Sequence, residues 1–108
     1  MGILLDECVP KPLKRQLWNY QVRTVVEMGW AGKKNGELLK LMQNEGFSLL
    51  LTADQNLWYQ QNLKQVEISI IVMVASSNRL EDLFPLIPNV CNALDNIVAG
   101  EIIEIKLR

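Results

Sequence analysis

The sequence predicts an α/β fold: a single domain over residues 1–108, built as an α/β/α sandwich around a mostly parallel five-stranded sheet. Five short apolar segments alternate with helical patterns along the chain. Such alternation is typical of a parallel sheet with right-handed crossovers and helices on both faces. The length of 108 residues suits one hydrophobic core. No repeat, linker or low-complexity tract divides the chain.

The strands are predicted from short runs rich in aliphatic and β-branched residues. They cover residues 3–5, 22–26, 47–51, 68–74 and 102–107. The runs at 3–5 and 68–74 are the most uniformly apolar, so we expect both strands to be buried on both faces and adjacent in the middle of the sheet. The last run alternates apolar and charged residues, which predicts an edge strand.

Two helices are predicted in the first half of the chain. The first covers residues 10–20, with a proline in its opening turn, where a missing N–H costs nothing. Leu13 and Leu17 form its apolar face, with Trp18 as a further candidate. The second follows a glycine-containing loop and is preceded by Asn35. Gly46 is expected to stop it, as a residue type that often follows a helix in the left-handed conformation.

The second half of the chain carries two more helical patterns. A short polar helix is expected over about residues 55–63. A longer apolar pattern runs over residues 80–98, and Pro85 and Pro88 predict a break in it. Gly100 is expected to close that helix before the last strand.

Composition excludes several classes of function. The chain has no histidine, which rules out histidine catalysis, histidine metal ligation and Ser-His-Asp triads. Its net charge of −1 gives no overall attraction to nucleic acid, so any such contact needs a local patch. Cys8 and Cys91 lie far apart, which predicts reduced thiols. Because no apolar run could span a bilayer and no signal-type segment is present, a cytoplasmic protein without membrane contact is expected.

Polar side chains follow the predicted strands or begin the predicted helices. They are Asp6 and Glu7, Asn35 and Glu37, Asp54 and Asn56, and Ser77, Asn78 and Arg79. In a doubly wound sheet these positions share one edge of the molecule. Clustered carboxylates repel each other unless a cation lies among them, and a site of oxygen ligands alone favours Mg²⁺ or Mn²⁺. Such an ion can activate water and cleave phosphodiesters.

Several of these residues also have a structural interpretation. Asn35 and Asp54 could each cap a helix. Asn78, with Glu81 three residues later, fits a capping box. Asp6 is harder to explain in this way, because a carboxylate that ends a buried strand is costly unless it has partners.

The same choice applies to the aromatic and basic residues near the predicted site. Trp30, Trp58 and Tyr59 are interpreted as packing residues and not as platforms for stacked bases. Lys33 and Lys34 fit a solvated loop, although their place beside the predicted site also suits contact with phosphate.

Three motifs carry a resemblance to a known family. They are LLDE at residues 4–7, GWAG at 29–32 followed by NGELL at 35–39, and LTADQNL at 51–57. Together they resemble the DUF5615 family of PIN-like proteins over nearly the whole chain. PIN-domain proteins, VapC-like toxins among them, are small α/β/α sandwiches with a parallel sheet. Many are Mg²⁺-dependent ribonucleases that act as toxins of bacterial toxin–antitoxin pairs, and the resemblance implies that function here.

The resemblance also implies roles for individual residues. Asp6 corresponds to the first acid, and Asp54 corresponds to the acid after the third strand. Asn35 and Asn56 stand where the commoner pattern has aspartate; an amide oxygen can bind a cation but cannot supply charge or act as a general base. Glu37 is expected to compensate. The implied set is catalytic Asp6, Glu37 and Asp54, and metal ligands Asp6, Glu7, Asn35, Glu37, Asp54 and Asn56. Because RNA would need a local basic patch, the expected phosphate contacts are Lys33, Lys34 and Arg79.

Three functions are left open at this point. The leading hypothesis is a metal-dependent endoribonuclease, the toxin of a pair, with RNA, an antitoxin and, as a homodimer, a second copy of the chain as partners. The alternative is a PIN-like binding or regulatory module with a weakened site, which needs no metal. A phosphate-receiving regulator is disfavoured, because residues 74–77 lack the lysine that such a protein needs after a late strand.

Overall fold

The computed structural model describes residues 2–55 and 62–107. Its five strands are β1 (Gly2–Leu5), β2 (Gln21–Thr24), β3 (Leu49–Thr52), β4 (Ser69–Val74) and β5 (Ile102–Lys106). They form one sheet in the order β2-β1-β3-β4-β5, and every neighbouring pair is parallel. The predicted α/β class with a five-stranded parallel sheet is confirmed.

The centre of the sheet differs from the prediction. β1 and β4 are not adjacent, because β3 lies between them: Leu50 pairs with Leu4 on one side and with Ile70 on the other. All three strands are buried almost throughout, so burial on both faces cannot decide which of them is central. The prediction that the last strand is an edge is confirmed.

Helical segments connect the strands. They are a 3₁₀ helix (Lys11–Leu17), α1 (Asn35–Asn44), α2 (Leu63–Val66), α3 (Leu80–Leu83), a 3₁₀ turn (Phe84–Leu86) and α4 (Ile87–Asn96). The first was predicted as a longer segment with Trp18 on its apolar face. Instead Trp18 follows the last helical residue and is 83% exposed, so that Leu13 and Leu17 alone provide the buried side of this helix. The predicted polar helix over about residues 55–63 lies mostly outside the described residues.

Proline and glycine act largely as the sequence predicts. The break expected around Pro85 and Pro88 is present as the 3₁₀ turn between α3 and α4. Gly46 follows α1 with φ +82°, and the N–H of Phe47 donates to the carbonyl of Met42 at 2.9 Å, which closes the helix end. Gly100 does not close α4 as expected: the helix ends at Asn96, and Gly100 (φ +86°) lies in the turn before β5.

The sheet has a buried apolar layer on each face. Leu4, Leu50 and Ile70 belong to the layer beneath α1 and α2. Ile3 and Leu51 belong to the other layer, beneath the first 3₁₀ helix, α3 and α4. The alternation of side chains along each strand sends successive residues to opposite layers. No helix in the described ranges is long and apolar enough to cross a membrane.

Candidate functional site

Two of the predicted acids follow neighbouring strands at the same edge of the sheet. Asp6 comes directly after β1, and its N–H donates to the carbonyl of Leu51 in β3 at 3.0 Å. Asp54 comes two residues after the end of β3. Since β1 and β3 are parallel and adjacent, the pairing of the strands brings both acids to the carboxyl edge.

Thr52 connects these two acids. Its side chain is fully buried, and its hydroxyl donates to Oδ2 of Asp6 at 2.8 Å. Oγ1 of Thr52 also accepts a hydrogen bond from the N–H of Asp54 at 3.0 Å, and Sγ of Cys8 lies 3.4 Å from the same Oγ1. The sequence motif at residues 51–57 contains Thr52, but sequence reasoning assigned it no role. The hydroxyl fixes the orientation of Asp6 and the backbone at Asp54.

The Asp6 carboxylate is half-buried and is surrounded by negative charge. Burial is the main cause that raises its pKa; the hydrogen bonds from Thr52 and from the N–H of Glu7 (2.9 Å to Oδ1) act in the opposite direction. The charges of Asp54 and Glu7 raise the pKa further. Repulsion between these acids thus contributes to the raised pKa of Asp6, but burial contributes more.

Glu7 and Glu37 occupy different surroundings. Oε1 of Glu7 accepts from the N–H of Gly32 at 3.0 Å, which fastens the loop before α1 to the end of β1. Glu37 is exposed and forms an ion pair with Lys33 at 3.6 Å. The structure thus brings Asp6, Asp54 and Glu7 near one another and pairs Glu37 with a lysine.

The two amides of the implied metal set are placed as follows. Asn35 is the first residue of α1 and not its N-cap; Lys34 occupies the cap position without a side-chain hydrogen bond. Asn56 lies outside the described residues, as do Trp58 and Tyr59. Within residues 2–55 and 62–107, no three His, Cys, Asp or Glu side chains are grouped so as to hold a metal ion.

A cleft of about 370 Å³ opens beside Asp6 toward β2. It is lined by Asp6, Glu7, Cys8, Val9, Pro10, Lys11, Thr24, Val26 and Glu27. Sequence analysis did not single out Glu27, although its carboxylate lies in the same cleft as two of the candidate acids. The cleft gives Asp6 access to solvent on the β2 side.

Glu27 closes the turn after β2. Its Oε1 accepts from the N–H of Thr24 at 2.9 Å, and its own N–H donates to Oγ1 of Thr24 at 3.0 Å. This reciprocal pair is the capping-box pattern, which could have been recognised in Thr24-Val25-Val26-Glu27. It also explains why β2 stops at Thr24 and does not extend to residue 26 as predicted.

The ammonium of Lys14 stabilises the ionised carboxylate of Glu27. It contacts both carboxylate oxygens, at 2.9 and 3.1 Å, and is the main reason that the pKa of Glu27 is lowered to about 2. A carboxylate that is already paired in this way contributes little free negative charge to the cleft. Glu27 is therefore a structural residue at the border of the site.

The predicted phosphate contacts lie on exposed segments around the carboxyl edge. Lys33 and Lys34 lie in the loop that leads into α1. The guanidinium of Arg79 contacts Glu81 at 3.0 Å, and both side chains are exposed. Exposed ion pairs are weak, so these contacts contribute little to holding Lys33 and Arg79 in place.

The capping box predicted from Asn78 and Glu81 is wrong. Arg79 is the N-cap of α3, and no side chain caps the helix. Ser77 organises the turn instead: its hydroxyl accepts from the N–H of Arg79 at 3.1 Å and donates to the carboxylate of Asp82. Glu81 is not available as a capping partner because its carboxylate pairs with the side chain of Arg79.

The predicted packing role of Trp30 agrees with the structure. Its ring meets that of Phe47 edge to face, with 5.9 Å between the ring centroids. Both residues pack against the apolar layer under α1.

Comparisons with known protein families, with curated proteins and with solved structures found no match. The assignment of a function to this chain therefore depends on its motifs and on the contacts described above.

We expect Asp6→Asn to leave the free energy of unfolding at pH 7 equal to or above that of the wild type. The raised pKa means that the ionised carboxylate is less favourable in the folded chain than in the unfolded chain, and the neutral amide removes this cost. Urea unfolding measures the difference. Asp95→Asn, at an exposed acid that accepts from the Tyr20 hydroxyl, is the matched control and should change stability by less than about 0.5 kcal/mol. A loss above about 1 kcal/mol in Asp6→Asn would identify a structural hydrogen-bond acceptor.

Asp6 and Glu27 should affect the pH dependence of stability in opposite directions. Because the folded pKa of Asp6 is raised, its contribution weakens the fold as pH rises from the unfolded pKa through the folded pKa. The pKa of Glu27 falls from 4.5 to about 2, so its contribution is present above 4.5 and is lost as pH falls through 2. Urea unfolding between pH 2 and 7 should show Asp6→Asn removing the first dependence and Glu27→Gln removing the second. Equal pH profiles for both variants would contradict this.

Proposed function

We propose that this chain is a Mg²⁺- or Mn²⁺-dependent ribonuclease of the PIN-like class. In this proposal it acts in the cytoplasm as the toxin of a toxin–antitoxin pair, with RNA as substrate and an antitoxin protein as partner. The observation that carries the proposal is the surroundings of Asp6: a half-buried carboxylate at the carboxyl edge of the sheet, close to the charges of Asp54 and Glu7.

The donor set suits a hard divalent cation. Both oxygens of Asp6 accept a hydrogen bond, from Thr52 and from the N–H of Glu7, and so keep a fixed direction. The negative charge of Asp54 disfavours the ionised form of Asp6, and a cation between the two would reverse that effect. Mg²⁺ retains several waters and needs only one or two protein carboxylates. A pair of acids is therefore sufficient.

The chain's own residues would have distinct roles in cleavage. A bound Mg²⁺ or Mn²⁺ ion supplies an activated water and neutralises charge on the scissile phosphate. Asp6 and Asp54 would provide its anionic ligands, and the Thr52 hydroxyl would hold the Asp6 carboxylate and the backbone at Asp54 in place.

RNA binding would depend on local positive charge. Lys33 and Lys34 directly precede α1, and Arg79 follows β4 at the same edge of the sheet. With a net charge of −1 the chain gains nothing from overall attraction. Few phosphate contacts predict binding that depends only weakly on salt concentration.

Metal titration tests the proposal directly. We expect calorimetry to show one Mn²⁺ or Mg²⁺ ion per chain, and we expect Asp6→Ala and Asp54→Ala to remove this binding. Glu45→Gln makes the same change in charge at an exposed position beside Gly2, at the opposite edge of the sheet, and should leave binding unchanged. Retention of the ion in both alanine variants would disprove the site.

A second candidate function is supported by two contacts. Glu7 is held by the N–H of Gly32, and Glu37 is paired with Lys33, so two carboxylates of the implied metal set already have other partners. This arrangement suits a PIN-like binding or regulatory module that has lost its metal. Failure of the wild-type chain to bind either ion would favour this module over the ribonuclease.

A further inference from the structure

Strand β5 has one side that pairs with no strand in the part of the chain that the structure describes. β5 is in register with β4, Ile70 facing Ile102, and the N–H of Ile70 donates to the carbonyl of Glu101 at 2.9 Å. In a parallel ladder alternate residues of a strand direct their N–H and C=O groups to the same neighbour. The carbonyl of Glu101 and the backbone groups of Ile103 and Ile105 therefore face β4, whereas the N–H of Glu101 donates to the carbonyl of Val98 at 3.2 Å. The backbone groups of Ile102, Glu104 and Lys106 face outward.

The side chains of this strand differ between its two faces. Ile103 and Ile105 are half-buried on one face, and Leu107, which follows on the same face, is 58% exposed. Glu104 and Lys106 are exposed on the other face. The outward side thus combines free backbone groups with an apolar row and one acid–base pair. Such an edge can accept another strand.

Two copies of β5 can pair antiparallel about a two-fold axis perpendicular to the sheet. Such an axis keeps each side chain on its own face, so the register must be centred on one residue that faces itself. Centred on Ile105, the pairing sets Glu104 opposite Lys106 twice and Ile103 opposite Leu107 twice. It also makes Glu104 and Lys106, whose backbone groups face outward, the hydrogen-bonded pair, as an antiparallel ladder requires.

The neighbouring registers are less favourable. In the register centred on Glu104, the two copies of Glu104 lie opposite each other, and Ile102 lies opposite Lys106. Centring on Ile103 faces Ile102 with Glu104 and Ile105 with Glu101. Like charges directly opposite destabilise a sheet, and opposite charges stabilise it. Of these three registers, charge complementarity therefore selects the one centred on Ile105.

We propose that the outward side of β5 binds β5 of a second copy of this chain, in the register centred on Ile105, to give one continuous sheet of both copies. The two β5 strands run antiparallel, so the two carboxyl edges face opposite ends of the dimer. Each candidate site is then complete within its own chain. This proposal does not depend on the proposed function, and a failed metal titration would leave it intact.

Charge exchange across the interface tests the register. Sedimentation equilibrium of the wild-type chain over a range of concentrations should show a dimer. Lys106→Glu and Glu104→Lys each place like charges opposite, and each should raise the dissociation constant at least tenfold. The double variant restores opposite charges and should recover most of the affinity. Lys40→Glu, at an exposed position on α1, makes the same charge change as Lys106→Glu and should have no effect. A monomer at every concentration overturns the proposal, and so does a dimer that neither single variant weakens.

Cysteine crosslinking provides a second, independent measurement. At the two-fold axis the Cα atoms of the two copies of residue 105 would be about 4.5 Å apart, which a disulfide can bridge. Ile105→Cys should therefore form a dimer on oxidation. Ile103→Cys should not, because its two copies would be about 13 Å apart along the strands. The wild-type chain, which contains Cys8 and Cys91, is oxidised in parallel as the control. A crosslink in Ile103→Cys but not in Ile105→Cys overturns the register.

Discussion

Asp6→Ala and Asp54→Ala should each reduce the proposed metal-dependent cleavage of single-stranded RNA by at least about 100-fold. Each would remove an anionic ligand of the proposed ion, and a bound divalent ion stabilises such a transition state by several kcal/mol. The wild-type activity itself should be weak, since Asn35 and Asn56 supply no negative charge where the PIN-like pattern has acids. Purified protein is incubated with structured and unstructured RNAs, with Mn²⁺, with Mg²⁺ and with EDTA.

The matched control for this loss is Glu45→Gln, which removes one negative charge far from the carboxyl edge. Its cleavage rate should equal that of the wild type within about twofold, as is usual for an exposed surface change. Cleavage that persists in EDTA, or that survives both alanine variants, would indicate a contaminating nuclease. Loss of activity together with loss of folding, seen by circular dichroism, would assign Asp6 or Asp54 a structural role.

The fold class could be predicted because alternation of strands and helices is a local property of the sequence. Strand order could not, since three of the strands are almost equally apolar. Leu50 lies at the centre of the sheet because β3 follows a crossover that returns the chain beside β1, and nothing in its own composition distinguishes it from Leu4 or Ile70.

The candidate site was predictable only in part. Asp6 and Asp54 were identified because an acid after a buried strand is conspicuous, and the parallel sheet brings them to one edge. Glu37 was expected to join them, but Lys33, four residues earlier in the loop before α1, pairs with it. Short-range ion pairs of this kind compete with any distant partner that a motif implies.

Thr52 and Glu27 show why the supporting contacts were missed. Thr52 donates a hydrogen bond to Asp6, which lies 46 positions earlier in the sequence, and this contact exists only once β1 and β3 are paired. Glu27 forms a local capping box with Thr24, which the sequence does contain, but its partner Lys14 belongs to another segment. The contact between Thr24 and Glu27 could be identified from the sequence, because the two residues are three positions apart. The ion pair with Lys14 could not be identified before the fold was known.

The buried hydroxyl of Thr52 should therefore contribute substantially to the free energy of unfolding. Thr52→Val keeps the shape of the side chain but removes the donor to Asp6 Oδ2 and the acceptor for the N–H of Asp54. Both groups lie in a partly buried region, and an unsatisfied buried group costs about 1–3 kcal/mol. We expect the free energy of unfolding to fall by about 2 kcal/mol and the pKa of Asp6 to rise further, because the Thr52 hydrogen bond lowers it in the wild type.

Thr52→Ser distinguishes the contribution of the hydroxyl from that of the methyl group. It keeps both hydrogen bonds and should cost about 1 kcal/mol for the lost buried methyl, without a change in the pKa of Asp6. Urea unfolding gives the stabilities, and carboxyl carbon shifts followed by NMR against pH give the pKa. Because metal binding needs the ionised and correctly oriented carboxylate, the valine variant should also bind Mn²⁺ more weakly than the serine variant does. A valine variant as stable as the wild type, with the pKa of Asp6 unchanged, would show that Thr52 does not hold the two acids.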